Sequence, residues 1–531
     1  MVGPVGETLL HVGSRRENIQ LVRPAEATRG RLMFLKRGLV PWIVLALVCL
    51  SSWMGYLSAD APVRVIPNWG KRTGVSKTVV SMEVCVEPPM RRSHRIHNQL
   101  FNALENLDAD YLRFSPWYPY PKLAVAELKP PRSGKSFWNF SLLDPIVEDF
   151  VRAAADHPVV FNQGTTPEWM FKTVKPVLYP GDPDAIEWNY EEGSELRDPT
   201  GKEVADYFAR MASWYTKGGF KDEYGKWHAS GHHYRLAYWE VLNEVDGEHH
   251  MSPQFYTRLY DAIVAAIREI DPQMKFVGIA LAQPMKNPAF FRCFLDHQNH
   301  RPGTPINMIS YHFYATPQPD ESPKVMERTV FDQADGFIDV VGYINALRDV
   351  FSPETRTYVD EIGTILGSCT SLFEQPIPGF YWNLSGAMFA YVYAHLATMG
   401  IDMAAESELI DYPGQCAGTT MDNWKTGKPN ARYWILKLLR DNFSPGDRLV
   451  STVISSQAIY AQGFITPQGG RRILFVNKRD RAFELSIPGG KGAHMEVVDQ
   501  TTASGPARPA DLSRNDLNLP GLAVAVVTLA K

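Results

Sequence analysis

Two carboxylates have the type and spacing to do chemistry. Glu244 closes the run Tyr238-Trp-Glu-Val-Leu-Asn-Glu244, and Glu361 closes Thr357-Tyr-Val-Asp-Glu361. Each follows a short stretch of strand-forming residues, so each is expected at a strand end rather than on a solvated helix. They lie about three strand–helix units apart, a separation that lets them face each other across a closed parallel sheet. Cleaving an acetal through an oxocarbenium-like transition state needs one group to protonate the departing oxygen and another to trap the anomeric carbon. Two carboxylates in unlike environments meet both needs, so no cofactor or metal is expected. Glu240 precedes Glu244 by an even offset, which points it inward if the strand continues; it reads as a structural carboxylate of the interior. The plain alternative for any one of the 58 acidic residues is a solvated surface charge.

Trp239-Glu-Val-Leu-Asn-Glu-Val245 resembles the strand-four motif Phe-Glu-x-Trp-Asn-Glu-Pro of the clan A glycoside hydrolases, nearest to family 39, which includes β-xylosidases and α-L-iduronidases. Val359-Asp-Glu-Ile362 resembles the strand-seven segment of the same clan. The likeness implies that Glu244 is the acid/base, Glu361 the nucleophile, and Asn243 a partner of the sugar's 2-hydroxyl. His312-Phe-Tyr314 is similar to the clan's strand-six pattern, which implies that Tyr314 or His312 positions Glu361. Arg113, in Leu112-Arg-Phe114, resembles the strand-two arginine that keeps the nucleophile ionised, because an adjacent guanidinium favours the carboxylate. Beside these stand bland readings: a structural ion-pair partner for Arg113, a satisfied core histidine for His312. The sequence also departs from the pattern. Leu242 and Val245 replace the motif's Trp and Pro, and Ala404-Ala-Glu-Ser-Glu-Leu409 lacks the tryptophan many members place under the sugar. Three activities follow as candidates: a retaining glycoside hydrolase, a transglycosylase using the same residues, and a catalytically silent carbohydrate-binding barrel.

The elements that must position these residues read as a (β/α)8 TIM barrel followed by a C-terminal antiparallel β-sandwich. Eight strand-length runs alternate with helical stretches: Val79–Val86, Tyr111–Ser115, Val159–Gln163, about Arg235–Asn243, Lys275–Leu281, Asn307–Tyr314, Thr357–Glu361 and Ile401–Ala405. After the fourth, Ser252 is a good N-cap and Pro253 suits the first helical position. Phe255, Leu259, Ile263, Ile267 and Ile270 then form one apolar stripe, ended by Asp271-Pro272. Proline-rich loops after strands two and three are expected to wall the barrel mouth. They carry Trp117, Tyr118, Tyr120 and Trp169, of which Trp117 is the candidate sugar contact. The barrel is expected over 78–445 and the sandwich over 446–531, with 62–77 as a candidate extra strand.

Bulk properties bound the partners. A formal charge of −4, with no basic stripe, excludes a nucleic-acid-binding footprint; an oligosaccharide or glycoside is the expected partner. His232-His233 and His249-His250 suggest a metal only weakly, since adjacent loop histidines seldom converge on one ion. Residues 1–32 read as a polar extension. Lys36-Arg37 and the apolar run from Gly38 to about Leu57 read as part of a signal peptide or signal anchor over 33–59. That places the catalytic part outside the cytosol, with membrane contact only through this segment. Of Cys85, Cys293, Cys369 and Cys416, the expected pair is Cys369 with Cys416, both in loops near one barrel face. Sequons begin at Asn139, Asn383 and Asn442. The spacing of residues says nothing of oligomeric state.

Overall fold

The computed structural model describes residues 61–174, 179–188, 190, 193–369, 377–502 and 504–530. The N-terminal extension and the apolar targeting run lie outside the described residues. Among the described residues no helix is long and apolar enough to cross a membrane. From Pro62 onward the chain forms one compact unit.

Eight parallel strands close into a barrel in chain order: β1 Val79–Cys85, β2 Tyr111–Ser115, β3 Val159–Asn162, β4 Tyr238–Glu240, β5 Phe276–Leu281, β6 Met308–Ala315, β7 Arg356–Thr364 and β8 Met403–Glu406. The TIM-barrel expectation is met. Alternation assigns the faces: along β2, Leu112 and Phe114 join the outer core with the helices, which leaves Arg113 inward. Val79, Val160, Tyr238, Val277, Met308, Tyr358, Met403 and Ala405 form a separate apolar cluster that plugs the barrel floor. Inward positions nearer the strand C-termini turn polar, with Glu83, Arg113, Glu240 and Asp360 all buried.

Two strand ends differ from the expectation. β4 is only three residues long and stops at Glu240. Val241 to Glu244 are irregular, with Leu242 at φ 64° and Glu244 at φ 41°, so strand parity does not aim Glu244. β7 runs on through Thr364 instead of ending at Glu361, and its register against both neighbours slips beyond Val359. This irregularity lets consecutive residues, Asp360 and Glu361, both approach Arg113, which a regular pleat would forbid.

The helix after β4 runs Pro253–Ile270, and the Ser252 hydroxyl accepts the Phe255 N–H as its cap. The C-terminal strands form a nine-stranded, mainly antiparallel sheet that encloses its own core. The strand Val63–Val75 lies within it, antiparallel to Arg448–Ile454 and parallel to Phe483–Ser486. Helix Gly379–Met399 contacts barrel strand β7 and several strands of this sheet. It is therefore apolar on nearly every side, with fifteen of its residues buried. Cys369 and Cys416 are disulfide-bonded, and Cys85 and Cys293 are free thiols. Of the three sequon asparagines, Asn139 is exposed, whereas Asn383 and Asn442 are buried.

Candidate active site

The residues singled out on and just beyond four strands converge on one cavity at the C-terminal mouth of the barrel. Its lining includes Trp117, Asn243, Glu244, Tyr314 and Glu361. Arg113 is fully buried beneath it, and its guanidinium is completely engaged. Nε donates to Glu240, one terminal nitrogen to Glu361 and the other to Asn243 Oδ1, each at 2.6 Å. Asp360 lies 3.3 Å and Glu83 3.5 Å away. The planar fork suits this task, since it binds several acceptors in fixed directions while remaining charged.

Glu361 is held from both sides. One oxygen accepts from Arg113 and the other from the Tyr314 hydroxyl at 2.8 Å. His312 Nδ1 lies 2.9 Å from Glu244 Oε1 and 3.2 Å from Glu361 Oε2, bridging the two candidate carboxylates. Both alternatives for positioning Glu361, Tyr314 and His312, are thus in contact with it. Burial opposes the imidazolium of His312, but the charges of Glu361 and Asp360 outweigh that and hold its pKa well above the ordinary value. Burial, only partly offset by the His312 hydrogen bond, raises the pKa of Glu244.

An oxygen of each carboxylate, with the imidazole nitrogen, lies within 4.8 Å of the others. Two carboxylates and an imidazole form a possible donor set for a cation. Cys85, Glu87 and Glu408 make a second close group, buried throughout. The loop histidines expected only weakly to bind metal serve in packing: His232 stacks on Tyr215 and Tyr234, and His249 on Phe171.

Glu240 is fully buried and bound by Arg113, Ser310 and Asn162, and does not line the cavity. Burial first, moderated by the Arg113 charge, raises its pKa to about 7. Asn243 is committed at both ends, accepting from Arg113 and donating to Glu248 at 3.1 Å. Trp117 lines the cavity and donates its indole N–H to Glu248. Trp169 turns away, its indole N–H on Glu127 O and its ring under Arg197. Tyr120 is fully buried.

Several residues here escaped the sequence reading. The Tyr314 hydroxyl also lies 2.6 Å from that of Ser407, itself 3.1 Å from Glu83, so β1 and the residue past β8 are tied to Glu361. Glu83 and Cys85 carry a signal that alternation along β1 could have found. Glu408 lies beyond the end of β8, where no period applies.

No protein-family model matches this sequence, and no curated protein matches it. Solved structures do match its fold. A GH51 arabinofuranosidase from Xanthomonas axonopodis pv. citri superimposes with a TM-score of 0.59 at 10% identity, covering 89% of this chain and 100% of its own. A GH39 β-xylosidase from Caulobacter crescentus gives 0.54 at 14% identity, over 88% and 100%. A GH30 endoxylanase from Clostridium papyrosolvens C71 gives 0.53 at 14%, over 89% and 100%. The likeness establishes the fold. These neighbours carry glycoside hydrolase names, and they share both the barrel and the span of the β-domain with this chain.

Proposed function

We propose that this protein is a retaining glycoside hydrolase, with Glu361 as nucleophile and Glu244 as acid/base. The observation that carries the reading is the unlike treatment of two carboxylates in one cavity. Glu361 is anchored by a guanidinium on one oxygen and a phenol on the other. Glu244 is pushed by burial towards its protonated form. Their oxygens approach within 4.8 Å. That favours retention, for which carboxyl groups about 5–5.5 Å apart are usual, over inversion, which needs about 6.5–9.5 Å to admit water.

In the first half-reaction a Glu361 oxygen bonds to the anomeric carbon while the bond to the leaving oxygen breaks and Glu244 gives that oxygen its proton. In the second, water attacks the same carbon, Glu244 takes its proton, and Glu361 is released. His312, contacting both groups, holds them in register as the proton moves. The strand motifs support a place near family 39, and the apolar run after Lys36-Arg37 supports passage through the secretory pathway.

The test is a panel of chromogenic aryl glycosides with wild type beside Glu361→Ala. Turnover lost in the variant and restored by azide, with a glycosyl azide of inverted configuration, is the expected result. A Glu361→Ala variant that keeps most of its activity refutes the assignment. Transfer to added acceptor sugars in place of water would move the reading to a transglycosylase.

A further inference from the structure

The cavity has two flanks, and only one belongs to the acid/base. Glu361 lies between them, touching His312 and through it Glu244 on one side, and Tyr314, Ser407 and Glu83 on the other. If Glu244 protonates the departing oxygen, the leaving group occupies its flank and the retained sugar ring lies over the opposite wall. This step rests on the function proposed above. That wall is formed by Glu83 and Cys85 from β1 and by Glu408 just past β8.

The wall is acidic, and among the described residues it offers a ligand no free counter-charge. Glu83, Glu244, Glu361 and Glu408 all line the cavity, and among the described lining residues there is no Lys, Arg or His. The nearby cations are spent. Arg113 is fully buried with all three nitrogens on protein acceptors, and His312 is buried between carboxylates. Glu408 accepts one hydrogen bond, from the Thr419 hydroxyl to Oε1 at 2.7 Å, and no ion pair reaches it among the described residues. Its second oxygen, on a side chain only 6% exposed, has no hydrogen-bond donor among them. A carboxyl oxygen that opens on a cavity and has no donor from the described residues is a place for a ligand donor.

We propose that Glu408, backed by Glu83, is the specificity-determining group of the glycone subsite, and that it selects a sugar carrying hydroxyl or ammonium donors and rejects one carrying a carboxylate or sulfate. Above about pH 8, where Glu408 is ionised, a uronic acid would bring a further negative charge against this wall with no free cation among the described lining residues to receive it, a juxtaposition that weakens binding about a hundred-fold. Burial keeps the Glu408 pKa high, at about 8, so below that value the same group can also donate to a ring hydroxyl.

Binding, rather than turnover, tests this, so its failure is distinct from that of the hydrolase assignment. Full-length protein is titrated calorimetrically at pH 9, where Glu408 is ionised, with iminosugars of gluco, galacto, xylo and arabino configuration, with an amino-substituted gluco counterpart, and with the 6-carboxylated gluco and galacto counterparts. The best uncharged-substituent compound is expected to bind roughly a hundred-fold tighter than any carboxylated one. Glu408→Gln should weaken the former about ten-fold and narrow the ratio between the two classes, which a purely structural role would not do. If only amino-substituted sugars bind, the donor is ammonium; if hydroxylated ones bind equally well, it is hydroxyl. A carboxylated compound binding as tightly as the rest, or no compound binding at all, overturns the proposal, and the wild-type comparison decides even if the variant fails to fold.

Discussion

Replacing Glu408 by Gln should stabilise the protein at alkaline pH while leaving it nearly unchanged in acid. Glu408 is buried, and desolvation raises its pKa from 4.5 to about 8, against the Thr419 hydrogen bond and with added repulsion from Asp411 and Glu361. A folded-state value above the unfolded one means that the unfolded chain releases this proton first. The stability carried by the protonated group is complete below about pH 4.5 and is lost as pH rises towards 8. At about 1.4 kcal/mol per pH unit, that interval sets a ceiling on the order of 5 kcal/mol. Asp411 and Glu361 share in the same repulsion, so roughly half, about 2–3 kcal/mol, is expected from the single replacement. Gln keeps the shape and can still accept from Thr419 while removing the titration. The assay is thermal unfolding of both proteins at pH 5 and pH 8. The variant should gain a few degrees over wild type at pH 8 and about none at pH 5. A difference that does not change with pH, or one that favours wild type at pH 8, would show that Glu408 is held ionised in the fold and refute the reasoning.

Two further outcomes follow from particular contacts. Arg113→Lys keeps a positive charge but cannot reproduce three hydrogen bonds in one plane. Losing even one charge-assisted bond costs about 1.5–3 kcal/mol, so kcat/KM should fall roughly ten- to a hundred-fold with a lower Tm, and a variant within two-fold of wild type in steady-state assays would contradict the central role given to this fork. The Cys369–Cys416 bridge spans a sequence separation of 47. By the loop-entropy relation its removal in Cys369→Ala/Cys416→Ala should cost about 4 kcal/mol, read as a lower denaturation midpoint that reductant no longer changes; an unchanged midpoint would mean the bridge does not constrain the unfolded chain.

How much was legible before folding can be argued residue by residue. The eight-unit alternation and the capped helix after Ser252 are local patterns, set by backbone propensity and by which face must be buried, and the structure has them where the pattern put them. Glu244 and Glu361 were found because strand C-termini in this architecture open on the mouth. Arg113 was legible only through the resemblance of Leu112-Arg-Phe114 to the clan's strand-two pattern. Its four acidic neighbours and Asn243 were not, because they come from β1, β4, β7 and the turn beyond β4 only through barrel closure. The positive-φ segment at Leu242 and Glu244 and the slipped register beyond Val359 aim the two key carboxylates by breaking the very period the sequence reading relied on. Glu408 shows the limit most clearly. In the sequence it is an acid in a loop, and its meaning arises only when closure sets it beside Glu83 and Cys85, more than three hundred residues away, in a buried wall whose described lining carries no Lys, Arg or His. Short-range periodicity decides which elements form; which side chains share one low-dielectric space, and so what their charges cost, is decided only when the sheet closes.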